Sequence, residues 1–205
     1  MSAPALDVVI VSYRSRELLR GCLEALRSHP SSGPMSVVVV DNASGDGTVE
    51  MIERDFGEVD LVPSSENLGF AVATNLGARR GNAPFLLALN PDTAVTDGAL
   101  DAVISVLESH PEVAVAGPRL ERPDGSLDHA ARRSFPTPLS ALGHFTGVGR
   151  RENASGRLAA YRAPEVESGP VDAVNGAFML MRRSAFETAG GFHDESRVKM
   201  PWLTE

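Results

Sequence analysis

Asp92 closes the tripeptide Asn90-Pro91-Asp92, which follows the apolar run Phe85 to Leu89. A carboxylate held there, behind a proline that fixes φ, can ligate Mg²⁺ or Mn²⁺, hard cations that prefer oxygen. Few protein ligands are needed where a diphosphate supplies the other oxygens. The competing reading is a plain turn in which Asp92 accepts from a local amide. Asp41 closes a second apolar run, Val37 to Val40. A carboxylate in that place can accept a hydrogen bond from N3–H of uracil or thymine. It can equally close an Asx-turn with Asn42 and Ser44. Asn67 and Asn75 can hold phosphate or base groups, or cap the helix that starts near Gly69. The free amides of that helix start would themselves attract phosphate.

The elements that position these residues alternate in type. Val8 to Val11 is a β-branched run and reads as a buried strand. Ser15 is placed to cap the helix that follows, in which Leu18, Leu19, Cys22, Leu23 and Leu26 recur at helical spacing. Strands are predicted at 37–40, 59–62, 85–89 and 113–116. The helices between them carry Val49, Ile52 and Phe56, then Ala73, Leu76 and Gly77, then Leu100, Val103, Ile104 and Leu107. This alternation predicts an α/β fold, a mostly parallel sheet with helices on both faces. Ligands of such sheets sit outside the carboxyl ends of the strands, where Ser12-Tyr13, Asp41-Asn42, Asn67 and Asn90 to Asp92 fall.

After Pro118 the pattern changes. Pro123-Asp124-Gly125-Ser126 signals a turn, with a small hairpin expected around it. Residues 132–168 read as a long, partly mobile excursion of the functional or disordered kind. Strands return at 171–174 and 177–181, and a short helix at 184–188 ends at Gly190-Gly191.

Bulk composition narrows the function classes. The 205 residues carry a net charge of −8 without a long basic run, which argues against a nucleic-acid partner. The single cysteine, Cys22, lies on an apolar helical stripe and reads as a buried thiol. One cysteine fits a reducing compartment, so cytoplasm is expected, with membrane contact limited to peripheral association at its inner face. No stretch approaches the ~18 apolar residues of a membrane span. Ser12-Tyr13-Arg14-Ser15-Arg16 lacks the glycines of a dehydrogenase turn, and no Gly-Lys-Ser/Thr phosphate loop is present. The glycine- and lysine-rich opening of a sugar nucleotidyltransferase is also missing.

Five clusters resemble, in order, family two of the nucleotide-sugar glycosyltransferases. They are Val9-Ile10-Val11-Ser12-Tyr13, Val39-Val40-Asp41-Asn42-Ala43-Ser44, Asn67-Leu68-Gly69-Phe70-Ala71 with Asn75, Leu89-Asn90-Pro91-Asp92, and Gly176-Ala177-Phe178-Met179 through Gly190-Gly191-Phe192. The resemblance runs from about Leu6 to Glu205 and is greatest to bacterial rhamnosyltransferases that build cell-wall or surface polysaccharide. It implies a GT-A fold and an inverting single displacement from a nucleotide-sugar donor, dTDP-rhamnose or a UDP-sugar. The implied acceptor is a saccharide or lipid-linked saccharide. Asp41 would hold the pyrimidine with Ser12 and Tyr13 beside it. Asp92 would bind Mg²⁺ or Mn²⁺, with Asn90 where the family's first aspartate often stands. One domain is expected over 1–205, with a nucleotide-sugar half at 1–118 and an incomplete acceptor-side half at 119–205. Arg132, Arg133, Asn175 and Gly176 would lie on the acceptor side, where Arg132, Arg133, Arg150 and Arg151 could meet lipid-linked phosphates or stay solvated.

The segment after Gly191 departs from the family pattern. Gly191-Phe192-His193-Asp194-Glu195 carries an extra His193, and Arg197-Val198-Lys199 replaces an aromatic pair. Glu205 falls where the Glu of the family's Glu-Asp base motif would be. The expected base is the residue after it, so a truncated, transfer-deficient chain is expected. The rival is a nucleotide-sugar-binding homologue that does not transfer.

Overall fold

A computed structural model of the protein describes residues 5–122, 124–126, 132–133, 169 and 173–193. The run at Val8 to Val11 forms the centre of β1 (Leu6–Ser12). β2 (Met35–Asp41), β3 (Asp60–Pro63) and β4 (Phe85–Leu89) lie parallel to it. Their Val, Ile and Leu side chains suit strands buried on both faces. β5 (Val115–Ala116) and β8 (Phe178–Arg182) complete a six-stranded sheet of order β3-β2-β1-β4-β8-β5. β8 runs antiparallel to β4, and β5 antiparallel to β8. β6 (Arg132–Arg133) and β7 (Ala173–Val174) pair antiparallel in a separate ladder.

Five helices are described: α1 (Arg16–Ser28), α2 (Thr48–Asp55), α3 (Gly69–Ala78), α4 (Ala99–Ser109) and α5 (Arg183–Thr188). Two right-handed crossovers in one direction, β1 to β2 to β3, put α1 and α2 on one face. The return from β3 to β4 puts α3 on the other. There α3 packs close: a Cβ on Gly77 would stand 2.5 Å from the Val9 side chain and 3.2 Å from Val40. Val9, Val38, Leu86, Ala88 and Met181 form this face's core with Ala78, flanked by Phe186 and Phe192. Across the sheet α1 buries Leu19, Cys22, Leu23 and Leu26, the stripe expected from its spacing. Each such aliphatic side chain contributes about 1.5–3 kcal/mol when fully buried.

Polar links close the edge where the parallel strands begin. Asp7, 1% exposed, faces Arg183 at 2.7 Å and accepts from the Ala83 amide at 2.8 Å and from the Ser36 hydroxyl. Arg183 also donates to the carbonyls of Ala83 and Ala78. Gly81 leaves room for this carboxylate, which a Cβ there would strike. The adjacent Arg182 donates to the carbonyls of Leu107, His110 and Val113, tying β8 to the end of α4.

The expected strands and helices are present, the strand at 113–116 shortened to Val115–Ala116 and that at 171–174 lying within the described residues only at Ala173–Val174, with three further differences. The strand after the excursion is reversed and inserted between β4 and β5, so β5 is a short edge strand. The helix at 184–188 begins one residue earlier. Ser15 stands at the start of α1 without capping it; its hydroxyl lies 3.0 Å from that of Ser12 instead. By internal contacts the chain divides into Met1–Ala116 with Gly176–Glu205, and Gly117–Asn175. In the second unit the turn expected near Gly125 is present. The Arg122 amide donates to Ser126 O at 2.8 Å, and Gly125 has φ +79°. Of the excursion expected at 132–168, only Arg132 and Arg133 lie within the described residues. Among these residues no helix is long and apolar enough to cross a membrane.

Candidate functional site

β2 and β4 leave β1 in opposite directions along the sheet, so the chain reverses at the carboxyl ends of β1 and β4. This is where open α/β sheets hold ligands. Ser12 and Asp41 are register partners at that edge. Ser12 is fully buried, and its carbonyl accepts from the Asn42 amide at 2.8 Å and the Ser44 hydroxyl at 3.4 Å. Asp41 is 4% exposed; its Oδ2 accepts from the Ser44 amide at 3.2 Å. Its Oδ1 is buried with no hydrogen-bond partner among the described residues. Ser44 also accepts from the Arg14 amide, at 3.1 Å. Arg14 and Ala43 take positive φ, 52° and 61°, a conformation uncommon outside glycine. Tyr13 stands exposed beside them, with the Arg14 guanidinium 5.1 Å from its ring centroid.

A second set of links joins this edge to α3. Buried Asn42 accepts from the Leu68 amide at 2.8 Å and donates to Asn67 Oδ1 at 2.8 Å. The same oxygen accepts from the Gly69 amide at 2.9 Å, so Asn67 serves the start of the helix. Gly69, at φ +72°, needs its glycine. Asn75 is placed differently. Both ends of its amide are bonded to the backbone of Phe192, at 2.8 and 2.9 Å.

The Asn90 to Asp92 turn is held from β4 and from the segment before β8. The Asn90 amide donates to Ala177 O at 2.9 Å, and its carbonyl accepts from the Thr93 amide at 3.1 Å. Thr93 Oγ1 donates to Ala177 O at 3.3 Å. Asp92 is exposed and makes no hydrogen bond or ion pair among the described residues. The Cys22 thiol beneath donates to Asn90 O at 3.8 Å. Burial, and then the charge of Asp92, push that thiol up to about 12, so it is an inert packing group rather than a nucleophile. No three His, Cys, Asp or Glu residues among those described could jointly hold a metal.

Ser12, Asp41, Asn42, Asn67 and Gly69 thus form one linked group, with Tyr13 beside it. Asn90 and Asp92 form another, next to the Gly176-Ala177 segment. Arg132 and Arg133 are described as backbone of β6, and Asn175 belongs to the second unit. Glu205 lies outside the described residues. Ser44 closes the turn with Asp41 that the sequence offered as the competing reading. Arg14 and Ala177 were not singled out by sequence as positioning groups.

An open, mostly parallel α/β sheet with polar side chains gathered at its switch edge is a class of fold that holds ligands there. The chain belongs to glycosyl transferase family 2, whose profile matches residues 7–190. It is 32% identical over 202 residues to an N-acetylglucosaminyl-diphospho-decaprenol L-rhamnosyltransferase of Mycobacterium tuberculosis, covering 92% of this chain and 65% of that protein. It is 26% identical to the low-salt glycan biosynthesis hexosyltransferase Agl10 of Haloferax volcanii, covering 90% of this chain and 55% of the relative. The chain thus spans between half and two thirds of these relatives' length. Among solved structures, the mannosyltransferase PcManGT of Pyrobaculum calidifontis, in complex with GDP-Man and Mn²⁺, superposes with a TM-score of 0.62 at 21% identity. That match covers 94% of this chain and 48% of that one. TarS 1-349 of S. aureus in complex with UDP-GlcNAc superposes with a TM-score of 0.59 at 17% identity, over 92% of this chain and 48% of that one. At these identities the likeness speaks for the fold, which is GT-A.

Proposed function

We propose that this chain binds the nucleoside diphosphate of a pyrimidine nucleotide sugar at the switch edge, as the donor-binding part of an inverting glycosyltransferase. The observation that carries the reading is the bare Oδ1 of buried Asp41. A buried acceptor left unmade costs about 1–3 kcal/mol, more when charged, so a ligand N–H is its natural complement. Oδ2 is engaged by Ser44, which leaves one oxygen for one imide N–H, the pattern of uracil and thymine. Ser12 and Asn42 hold Asp41's strand end and turn, Tyr13 offers an exposed ring beside it, and Asn67 and Gly69 open α3 toward the phosphates.

Asp92 fits a divalent cation as a hard, exposed oxygen donor with no competing partner among the described residues. Alone it cannot cage the ion, so Mg²⁺ or Mn²⁺ would share it with the donor's diphosphate. A cation there supplies charge neutralisation for the departing nucleoside diphosphate. The donor sugar is proposed as rhamnose on dTDP, or a sugar on UDP, and the acceptor as a lipid-linked saccharide. The mycobacterial relative, an L-rhamnosyltransferase named for a lipid-linked diphosphate sugar, supports rhamnose and the lipid-linked acceptor, while the pyrimidine carrier rests on Asp41. Such an acceptor would bring the enzyme to a membrane surface, at the cytoplasmic side in this reading. Inversion requires a carboxylate on the acceptor side to take the hydroxyl proton; in this reading that base follows Glu205, which holds the place of the Glu of the family's Glu-Asp motif. Residues 1–118 are assigned the donor half and 119–205 the acceptor-side half, with Arg132, Arg133, Asn175 and Gly176 assigned to acceptor binding.

Calorimetry with UDP, dTDP, CDP and GDP, with and without Mg²⁺ or Mn²⁺, tests the binding. UDP and dTDP are expected to bind best, and only with metal at full affinity. A clear preference for GDP would sink the base assignment. Release of nucleoside diphosphate from dTDP-rhamnose and UDP-sugars separates a transferase from a binding homologue.

A further inference from the structure

Asn75 resembles a ligand group by sequence, yet both ends of its amide are engaged by one residue's backbone. Nδ2 donates to Phe192 O at 2.8 Å, and Oδ1 accepts from the Phe192 amide at 2.9 Å. This closed pair spans 117 residues. The backbone comes this near because Gly191 has no side chain: a Cβ there would stand 2.6 Å from Asn75 Oδ1, and its φ is +84°. The Phe192 ring then lies between two others. Its centroid is 5.6 Å from Phe70, in the first turn of α3, and 5.7 Å from Phe186 of α5. Such ring pairs add to simple burial. Amide and rings together fix the Gly190-Gly191-Phe192 turn to the helix that opens at Gly69.

We infer that Asn75 is a positioning residue, which latches this turn onto α3 so that the chain leaving it at His193 starts from a fixed point relative to the nucleotide edge. It is not a nucleotide ligand. Asn75 lies six residues beyond Gly69, about 9 Å along the helix axis. The inference rests on the proposed function for its catalytic consequence only; the latch itself does not.

Three variants test it. Asn75→Ala removes both bonds, Asn75→Asp keeps the acceptor and loses the donor, and Gly191→Ala displaces the turn without altering the Asn75 side chain chemically. Amide hydrogen exchange at Phe192 is expected to speed up at least tenfold in N75A and G191A and less in N75D. Affinity for UDP and dTDP is expected to stay within twofold in all three. In nucleoside diphosphate release from a donor sugar, N75A is expected to lower kcat and leave donor KM within twofold, a split that general destabilisation would not give. Unchanged exchange at Phe192 in N75A overturns the latch. So does a tenfold loss of nucleotide affinity with exchange unchanged, which would make Asn75 a ligand. If N75A does not fold, N75D and G191A carry the same comparison. If the wild-type chain binds no nucleotide, the functional reading fails while the exchange measurement still decides the latch.

Discussion

Replacing Asp41 by asparagine tests the base-recognition geometry at a single atom. The variant can keep an oxygen toward the Ser44 amide, which then turns its NH₂ to where Oδ1 now stands unpartnered. An imide N–H would meet a donor instead of a charged acceptor. Hydrogen bonds to charged groups are worth about 1.5–3 kcal/mol, so UDP and dTDP should bind roughly 10- to 100-fold more weakly. The free protein should move the other way. A buried carboxyl oxygen with no partner among the described residues is replaced by an amide group, so D41N should be at least as stable as wild type. A gain of about 1 kcal/mol would raise Tm by about 2–4 °C in a chain of this size. The sharpest readout is the base itself. Cytosine presents a bare N3 acceptor where uracil presents N3–H, so the amide should narrow or reverse the preference for UDP over CDP. Titration calorimetry with the two diphosphates, alongside thermal melts without ligand, measures both effects. An unchanged UDP-to-CDP ratio in a folded D41N protein would refute the assignment of Oδ1 to the base.

Asp92→Ala should abolish the difference in nucleotide affinity between Mg²⁺ and EDTA while leaving metal-free binding near the wild-type value; a persisting metal effect would place the cation elsewhere. Arg183→Ala leaves buried Asp7 without its ion partner and should cost about 3–5 kcal/mol, read from urea unfolding. Because that pair lies at the far edge of the sheet, nucleotide affinity of the folded R183A protein should be unchanged. Acid should destabilise the fold through several carboxylates. Slight burial raises Asp46, but hydrogen bonds from Thr48 and from the Arg16 amide outweigh it and hold it below its usual range. The Arg27 guanidinium lowers Glu58, and the Ser32 hydroxyl and amide lower Asp101. Their folded-state values lie below the unfolded ones of about 4, so their stabilisation is complete above that pH and is lost as pH falls further. Tm should therefore be level between about pH 5 and 7 and drop below about pH 4; a level profile down to pH 3 would contradict these partnerships.

How legible each part was depended on whether its cause is local. β1, β2 and β4 were plain because parallel strands buried on both faces must be apolar throughout, and the polar residues closing them then mark the ligand edge. Asp41 and Asp92 were placed at that edge in this way. The direction of β8 was not readable: its own residues suit either orientation, and its pairing with β4 is decided by where the chain re-enters the sheet. Asn75 and Phe192, or Asp7 and Arg183, pair across more than a hundred residues, and nothing near either partner announces the other. Ser15 misled for the opposite reason. Its type suits a cap, but a neighbour at Ser12 offered its hydroxyl another contact. Asp7, a lone charge opening an apolar strand, could have prompted a search for a buried cation.

Arg182 and Arg183, next to each other at the end of β8, grip different things: one the carbonyls around the end of α4, the other the carboxylate at the start of β1. Sliding β8 by one residue would exchange them and undo both grips, besides turning its apolar side chains to the wrong faces. The strand therefore carries its own alignment information, independent of how much chain precedes it. Doubling a connecting stretch adds only about 0.6 kcal/mol of closure entropy. The stretch between β5 and β8 can thus lengthen, shorten or be exchanged over evolutionary time while the returning strand still finds its place. A fold keyed in this way tolerates insertions there without disturbing the strand ends that carry Asp41 and Asp92.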